Sequence, residues 1–139
     1  MSYLPLIARL LLGVLFFVFG LNGFLHFLPM PPLSGQVATF MTGLAATGYF
    51  FPFLMGVQVI SGLLLLSGAF VPLALVMLAP IVINIVLFHI FLDQKGLSMA
   101  TVMGVLELYL AFFVKPYDAV IKQIFRCPKK DAPISKDGK

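Results

Sequence analysis

Between Leu10 and Leu92 the chain has no Asp, Glu, Lys or Arg. No soluble core stays uncharged for that length, so water is excluded as the solvent of this stretch. A hydrocarbon layer about 30 Å thick, in contrast, takes about 20 apolar residues per spanning helix. Cys127 is the only cysteine, which excludes an internal disulfide and any Cys-x-x-Cys redox or metal site. Thiol chemistry therefore belongs to a partner, if to anything. No small-residue cleavage site follows the first apolar segment, so that segment is expected to stay in the membrane and not to be removed as a secretory signal. A nucleic-acid partner is disfavoured, because the basic residues are sparse, mixed with Asp118, Asp131 and Asp137, and attached to membrane segments.

What the chain has in quantity is hydrocarbon. Its 139 residues are 61% hydrophobic and 10% charged, with a mean hydropathy of +1.10. That composition lies outside the soluble range and allows one compact membrane domain. Lys115, Lys122, Arg126, Lys129, Lys130, Lys136 and Lys139 all follow the last apolar segment. By the positive-inside rule such a tail is cytoplasmic, and the net charge of +4 is a topology signal.

Pro, Gly and polar residues divide the apolar sequence into four blocks: Pro5 to Leu28, Phe51 to Ser67, Val71 to Leu92 and Leu97 to Val114. Four spans return both termini to one side. Arg9 then lies at the cytoplasmic end of the first, where its stem can snorkel to headgroups. The expected fold is all-α, a polytopic membrane protein with a four-transmembrane-helix bundle and short interfacial helices. Residues 1–116 form the bundle, and 117–139 a cytoplasmic amphipathic segment with a disordered basic tail beyond Cys127. The localisation that follows is a membrane with both termini on the cytoplasmic side, and the bilayer itself is the principal partner.

Two connections carry their own signals. Val37, Phe40, Met41 and Leu44 fall at i, i+3, i+4 and i+7, one apolar face of a short helix from Ser34 to Thr47 that roofs the outer side of the bundle. Ser34 is expected to cap its start and Gly48 its end. After Pro116, an apolar stripe of Tyr117, Val120, Ile121, Ile124 and Phe125 lies opposite Asp118, Lys122, Gln123 and Arg126, as in a helix on the inner surface. Pro80 in the third span removes one backbone hydrogen bond and is expected to kink it. Gly13, Gly20, Ala100 and Gly104 are spaced for close helix approach.

Polar residues inside the spans are the candidates for function. At about 1.5 Å of rise per residue, Gln58, Asn84 and Glu107 come out at similar depth, with Asn22 further out and His26 and His89 near the outer boundary. A charged carboxylate is costly there and no Lys or Arg lies at matching depth, whereas a neutral carboxyl both donates and accepts hydrogen bonds. This pattern is expected to form an outer-half pocket in which Glu107 is bonded to Asn84 or Gln58, with Asn22, His26 and His89 at its mouth. Interhelical contacts of about 1 kcal/mol or less account for the same amides without any ligand. His26 and His89 are also the residues a b-type haem would need, but two histidines without further context are a weak signal. Among fifteen Phe residues, a quinone ring held by Glu107 or a histidine is chemically reasonable.

The runs Arg9-Leu10-Leu11-Leu12-Gly13, Thr47-Gly48-Tyr49-Phe50-Phe51-Pro52, Gly62 through Gly68, and Asn84-Ile85-Val86-Leu87-Phe88-His89 through Leu106-Glu107 together resemble the DoxX family of small bacterial four-helix membrane proteins. The similarity spans roughly residues 5–116. The resemblance implies a membrane subunit of a quinone-linked redox complex, since the family takes its name from subunits of a thiosulfate:quinone oxidoreductase. One common family pattern has an acidic residue and paired glycines in the second helix, where this chain has Gln58 and Ser61-Gly62. The expectation is thus a bundle that binds a small hydrophobic or quinone-like molecule. A non-enzymatic scaffold or assembly subunit, a small proton-coupled transporter and a homo-oligomer are the other readings.

Overall fold

The computed structural model describes residues 3–29 and 32–126, in which every regular element is a helix. Four helices are long and apolar enough to cross a membrane: α1 (Leu4–Leu25), α3 (Phe50–Ser67), α4 (Val71–Phe91) and α5 (Leu97–Phe112), the last extended by a 3-10 turn at Gln94–Gly96. Two short helices complete the chain, α2 (Gly35–Ala46) between α1 and α3, and α6 (Tyr117–Ile124) after α5. The protein is a multi-pass, all-α membrane bundle.

Each helix starts and stops for a local reason. Pro5 and Pro72 occupy the first turns of α1 and α4, where the missing N–H costs nothing. Gly68, at φ +79°, ends α3 in the left-handed conformation and its N–H donates to the Leu64 carbonyl. Helix α1 stops at Leu25, short of the expected Leu28. His26 turns left-handed at φ 52°, and the Asn22 side-chain oxygen accepts the Leu28 N–H at 2.7 Å. An amide one turn before the end therefore closes the helix. Ser34 stands at the start of α2 but makes no side-chain cap; its carbonyl instead accepts the Ala38 N–H. Pro80 lies within α4, which continues as one helix on both sides of it.

Short connections force neighbours to run antiparallel, and the packing closes a ring. Helix α1 packs on α3, α3 on α4, α4 on α5, and α5 returns to α1, which leaves α1 and α4, and α3 and α5, as diagonal pairs. Leu12, Phe16, Leu65, Leu75, Leu78 and Leu110 fill the centre. One end of the bundle, formed by the C-termini of α1 and α4 and the N-termini of α3 and α5, is crossed by α2. The opposite end carries α6, which buries Ile121 against α4 and α5.

The α1–α3 contact is the closest, and small residues make it so. A Cβ at Gly62 would lie 2.6 Å from the Phe17 backbone nitrogen, and one at Gly13 would lie 3.2 Å from the Gly62 carbonyl oxygen. Gly20 abuts Val59 in the same way. Gly104, grouped with these by spacing, is different: a Cβ there would meet only Val86, at 3.7 Å. At the α6 end the Arg9 guanidinium lies against Gly68, in the space a side chain at that position would occupy. The basic group is thereby anchored on the α3–α4 turn.

On the outside the bundle presents hydrocarbon. Ile7, Leu11 and Val14 of α1, Ile60 and Leu63 of α3, Leu73, Ile83 and Leu87 of α4, and Val102, Val105 and Leu108 of α5 are all exposed. A belt this continuous belongs against acyl chains, where helices satisfy their own backbone groups. Beyond Cys127, the basic tail expected to be disordered lies outside the described residues.

Candidate functional site

The ring of four helices is not filled to the α2 end. A cavity of about 390 Å³ opens beneath α2, walled by all four spans. Phe16 and Phe19 come from α1, Phe50, Phe51, Leu54 and Met55 from α3, Ile85 and Phe88 from α4, and Met99, Ala100 and Met103 from α5. Phe40, Met41 and Leu44 of α2 form the roof. Those are three of the four positions in the α2 apolar stripe, so that stripe faces the cavity. Aromatic rings and thioethers are the apolar surfaces best able to adapt to a flat or irregular guest.

Four polar side chains interrupt this wall: Asn22, Gln58, Asn84 and His89. Gln58 is buried at 6% exposure and its amide makes no hydrogen bond among the described residues. Both its donor and its acceptor are available to a guest. Asn22 already spends its oxygen on the Leu28 N–H. His89 is seated against Gly96, where no side chain would fit beside the ring, and its Nδ1 lies 2.9 Å from the Asp93 carbonyl oxygen. A carbonyl only accepts, so Nδ1 carries the proton. Asn84 and His89, five residues apart on α4, both reach the lining, Asn84 exposed and His89 half-buried.

Two of the six residues singled out from sequence stand outside the lining. His26, in its left-handed turn after α1, is exposed and away from the cavity. Glu107 is buried at 6% exposure, one turn inward of Met103, whose side chain forms part of the cavity wall. The hydrogen bonds expected from Asn84 and Gln58 to Glu107 are not made. Gln58 is on α3, diagonal to α5, and Asn84 lines a cavity that Glu107 does not reach, so neither amide bonds the carboxyl. His26 and His89 do not face one another across a shared site, which leaves the haem arrangement without its second ligand.

Ser61 was not a candidate, yet it completes the picture. It is fully buried on α3, and its Oγ, like Oε2 of Glu107, has no partner among the described residues. At about 1.5 Å per residue, Ser61 and Glu107 lie about 15 Å from the α2 end of their helices, at one level on diagonal helices. The only sequence signal was Ser61-Gly62 standing where the family pattern has paired glycines. Because an unsatisfied buried hydroxyl costs about 1 kcal/mol or more, Ser61→Ala should leave the thermal midpoint of the detergent-solubilised protein unchanged or raise it. A clear fall would mean that the hydroxyl is bonded in the membrane.

No cluster of metal-ligating residues occurs among the described residues. Compared with known proteins, the chain matches no family model, no curated protein and no solved structure.

Proposed function

We propose that this protein is a DoxX-type bacterial inner-membrane protein whose cavity binds one small, neutral, lipophilic molecule of the quinone class. As the membrane subunit of a redox complex, it would hold the quinone while a partner supplies the electrons. The observation that carries this reading is the chemistry of the cavity wall. Rings and thioethers surround a space of about 390 Å³, the unpaired Gln58 amide lines it, and no charged side chain among the described residues does. A charged guest would find no counterion there, whereas a ring carrying carbonyls finds stacking surface and a hydrogen-bond donor. With the basic tail inside, the α2 end faces outward and the cavity lies in the outer half of the bilayer.

Equilibrium binding of decyl-benzoquinone to the purified protein tests this. Replacing Gln58 by leucine keeps the side chain's length and removes the buried amide that makes no hydrogen bond among the described residues, so affinity should fall about tenfold, equivalent to about 1.4 kcal/mol, with the thermal midpoint preserved. Unchanged affinity in Gln58→Leu would remove the amide from the site.

A second reading, an assembly subunit for a soluble partner, is favoured by one feature. Helix α6 leaves Val120, Ile124 and Phe125 exposed beside Lys122. Capture of a partner by the whole chain but not by one ending at residue 116 would support it.

A further inference from the structure

Asn84 is the one polar side chain of the cavity wall that is exposed, and on α4 it stands between Leu87 of the outer belt and Phe88 of the lining. It lies within the span of α4, about 10 Å or two turns from the end at Phe91, and has no hydrogen-bond partner among the described residues. An amide facing acyl chains without a partner is an expensive placement. Its position makes sense at the edge of an opening, where it meets both the hydrocarbon outside and the guest inside.

Toward α2 the same edge of the cavity wall is aromatic. Phe88, one turn toward α2 from Asn84 on the same helix, packs its ring on Phe40 of α2, with centroids 5.5 Å apart. Phe40 is itself at the surface and in the lining. Helix α2 buries no residue and among the helices makes backbone contact with α3 alone. The roof's backbone is thus held on one side, and a ring pair joins it to α4.

We propose that the cavity is loaded sideways from the hydrocarbon layer, through a window with Asn84 as its sill and the Phe40–Phe88 pair as its lintel. The claim rests on the reading of the cavity as a ligand site and narrows the ligand class. The guest is a molecule dissolved among the acyl chains, with a neutral hydrogen-bonding head that Asn84 meets first and Gln58 holds afterwards. A water-soluble compound of the same ring chemistry is not its substrate.

The chain contains no tryptophan, so single tryptophans report without background. In liposomes of phosphatidylcholine brominated at mid-chain, Asn84→Trp should be quenched at least twice as strongly as Phe16→Trp, whose position is 1% exposed. Equal, weak quenching overturns the window; dimers in native mass spectrometry would then identify a second copy as the cover of that face. For loading, Phe51→Trp in the cavity wall should be quenched saturably by decyl-benzoquinone, and adding Phe40→Ala should speed the approach to saturation at least threefold. A sulfonated benzoquinone supplied from water should not reach the reporter. Saturation at a rate indifferent to Phe40→Ala, or equal access for the sulfonated compound, overturns sideways loading alone. Absence of decyl-benzoquinone quenching in every variant overturns the quinone-class reading and the loading claim with it.

Discussion

Gly62→Leu should prevent α1 and α3 from packing and lower stability by about 3 kcal/mol, at the upper end of the overpacking range. The reason is what surrounds the missing side chain. At Gly62 even a Cβ would approach the Phe17 nitrogen to 2.6 Å and the Gly13 carbonyl oxygen to 2.9 Å, and backbone atoms cannot step aside as a side chain does. In lipid, helix association depends on this closeness, since there is no hydrophobic gain from bringing two apolar surfaces together. Gly62→Ala should therefore already be measurably destabilised. Gly104→Ala is the contrast, because its added Cβ finds only an ordinary contact with Val86 at 3.7 Å, and its effect should stay within about 0.5 kcal/mol. Thermal unfolding of the three variants in one detergent reads the difference. Equal midpoints for Gly62→Leu and Gly104→Ala would show that the tight α1–α3 approach does not hold the bundle.

Leu54→Trp should cost more than 100-fold in decyl-benzoquinone affinity, or about 2.7 kcal/mol, without unfolding the protein. Leu54 is half-buried and lies on the cavity wall between Phe51 and Gln58 of α3. A ring at that position projects into space the guest needs, and because the space is empty of protein the ring adds contacts instead of displacing them. The thermal midpoint should hold or rise while binding is lost. That combination separates occlusion of a site from damage to the fold. Retained affinity would place the guest elsewhere in the molecule.

How far the sequence reaches depends on which physical signal is asked for. The four spans are written in the absence of charge from Leu10 to Leu92 and in the Pro and Gly punctuation, because burying charge in lipid is costly enough to be excluded almost everywhere. Helix α2 is equally legible, since its stripe at i, i+3, i+4 and i+7 needs an apolar surface to face. The site was read less well. Depth along a helix follows from counting residues and brought Gln58, Asn84 and Glu107 to similar levels. Direction around the axis does not follow from counting when most neighbours are apolar on every side. Glu107 was therefore placed in the pocket although it packs one turn inward, and Asn84 was placed inside although it stands at the rim. His26 was displaced by a local event, the left-handed turn that Asn22 stabilises, which nothing in the periodicity of α1 announces. The Phe and Met residues that build the cavity wall are indistinguishable by type from those that face lipid. Only the closing of the ring, α1 to α3 to α4 to α5, selects among them.

The central claim is that the space beneath α2 is a ligand site for a neutral lipophile. Native mass spectrometry of the protein extracted in mild detergent with added decyl-benzoquinone tests it most directly. The account predicts one bound quinone per chain in the wild type and none in Leu54→Trp. A wild type that carries no adduct, or an adduct equally abundant in Leu54→Trp, would contradict it.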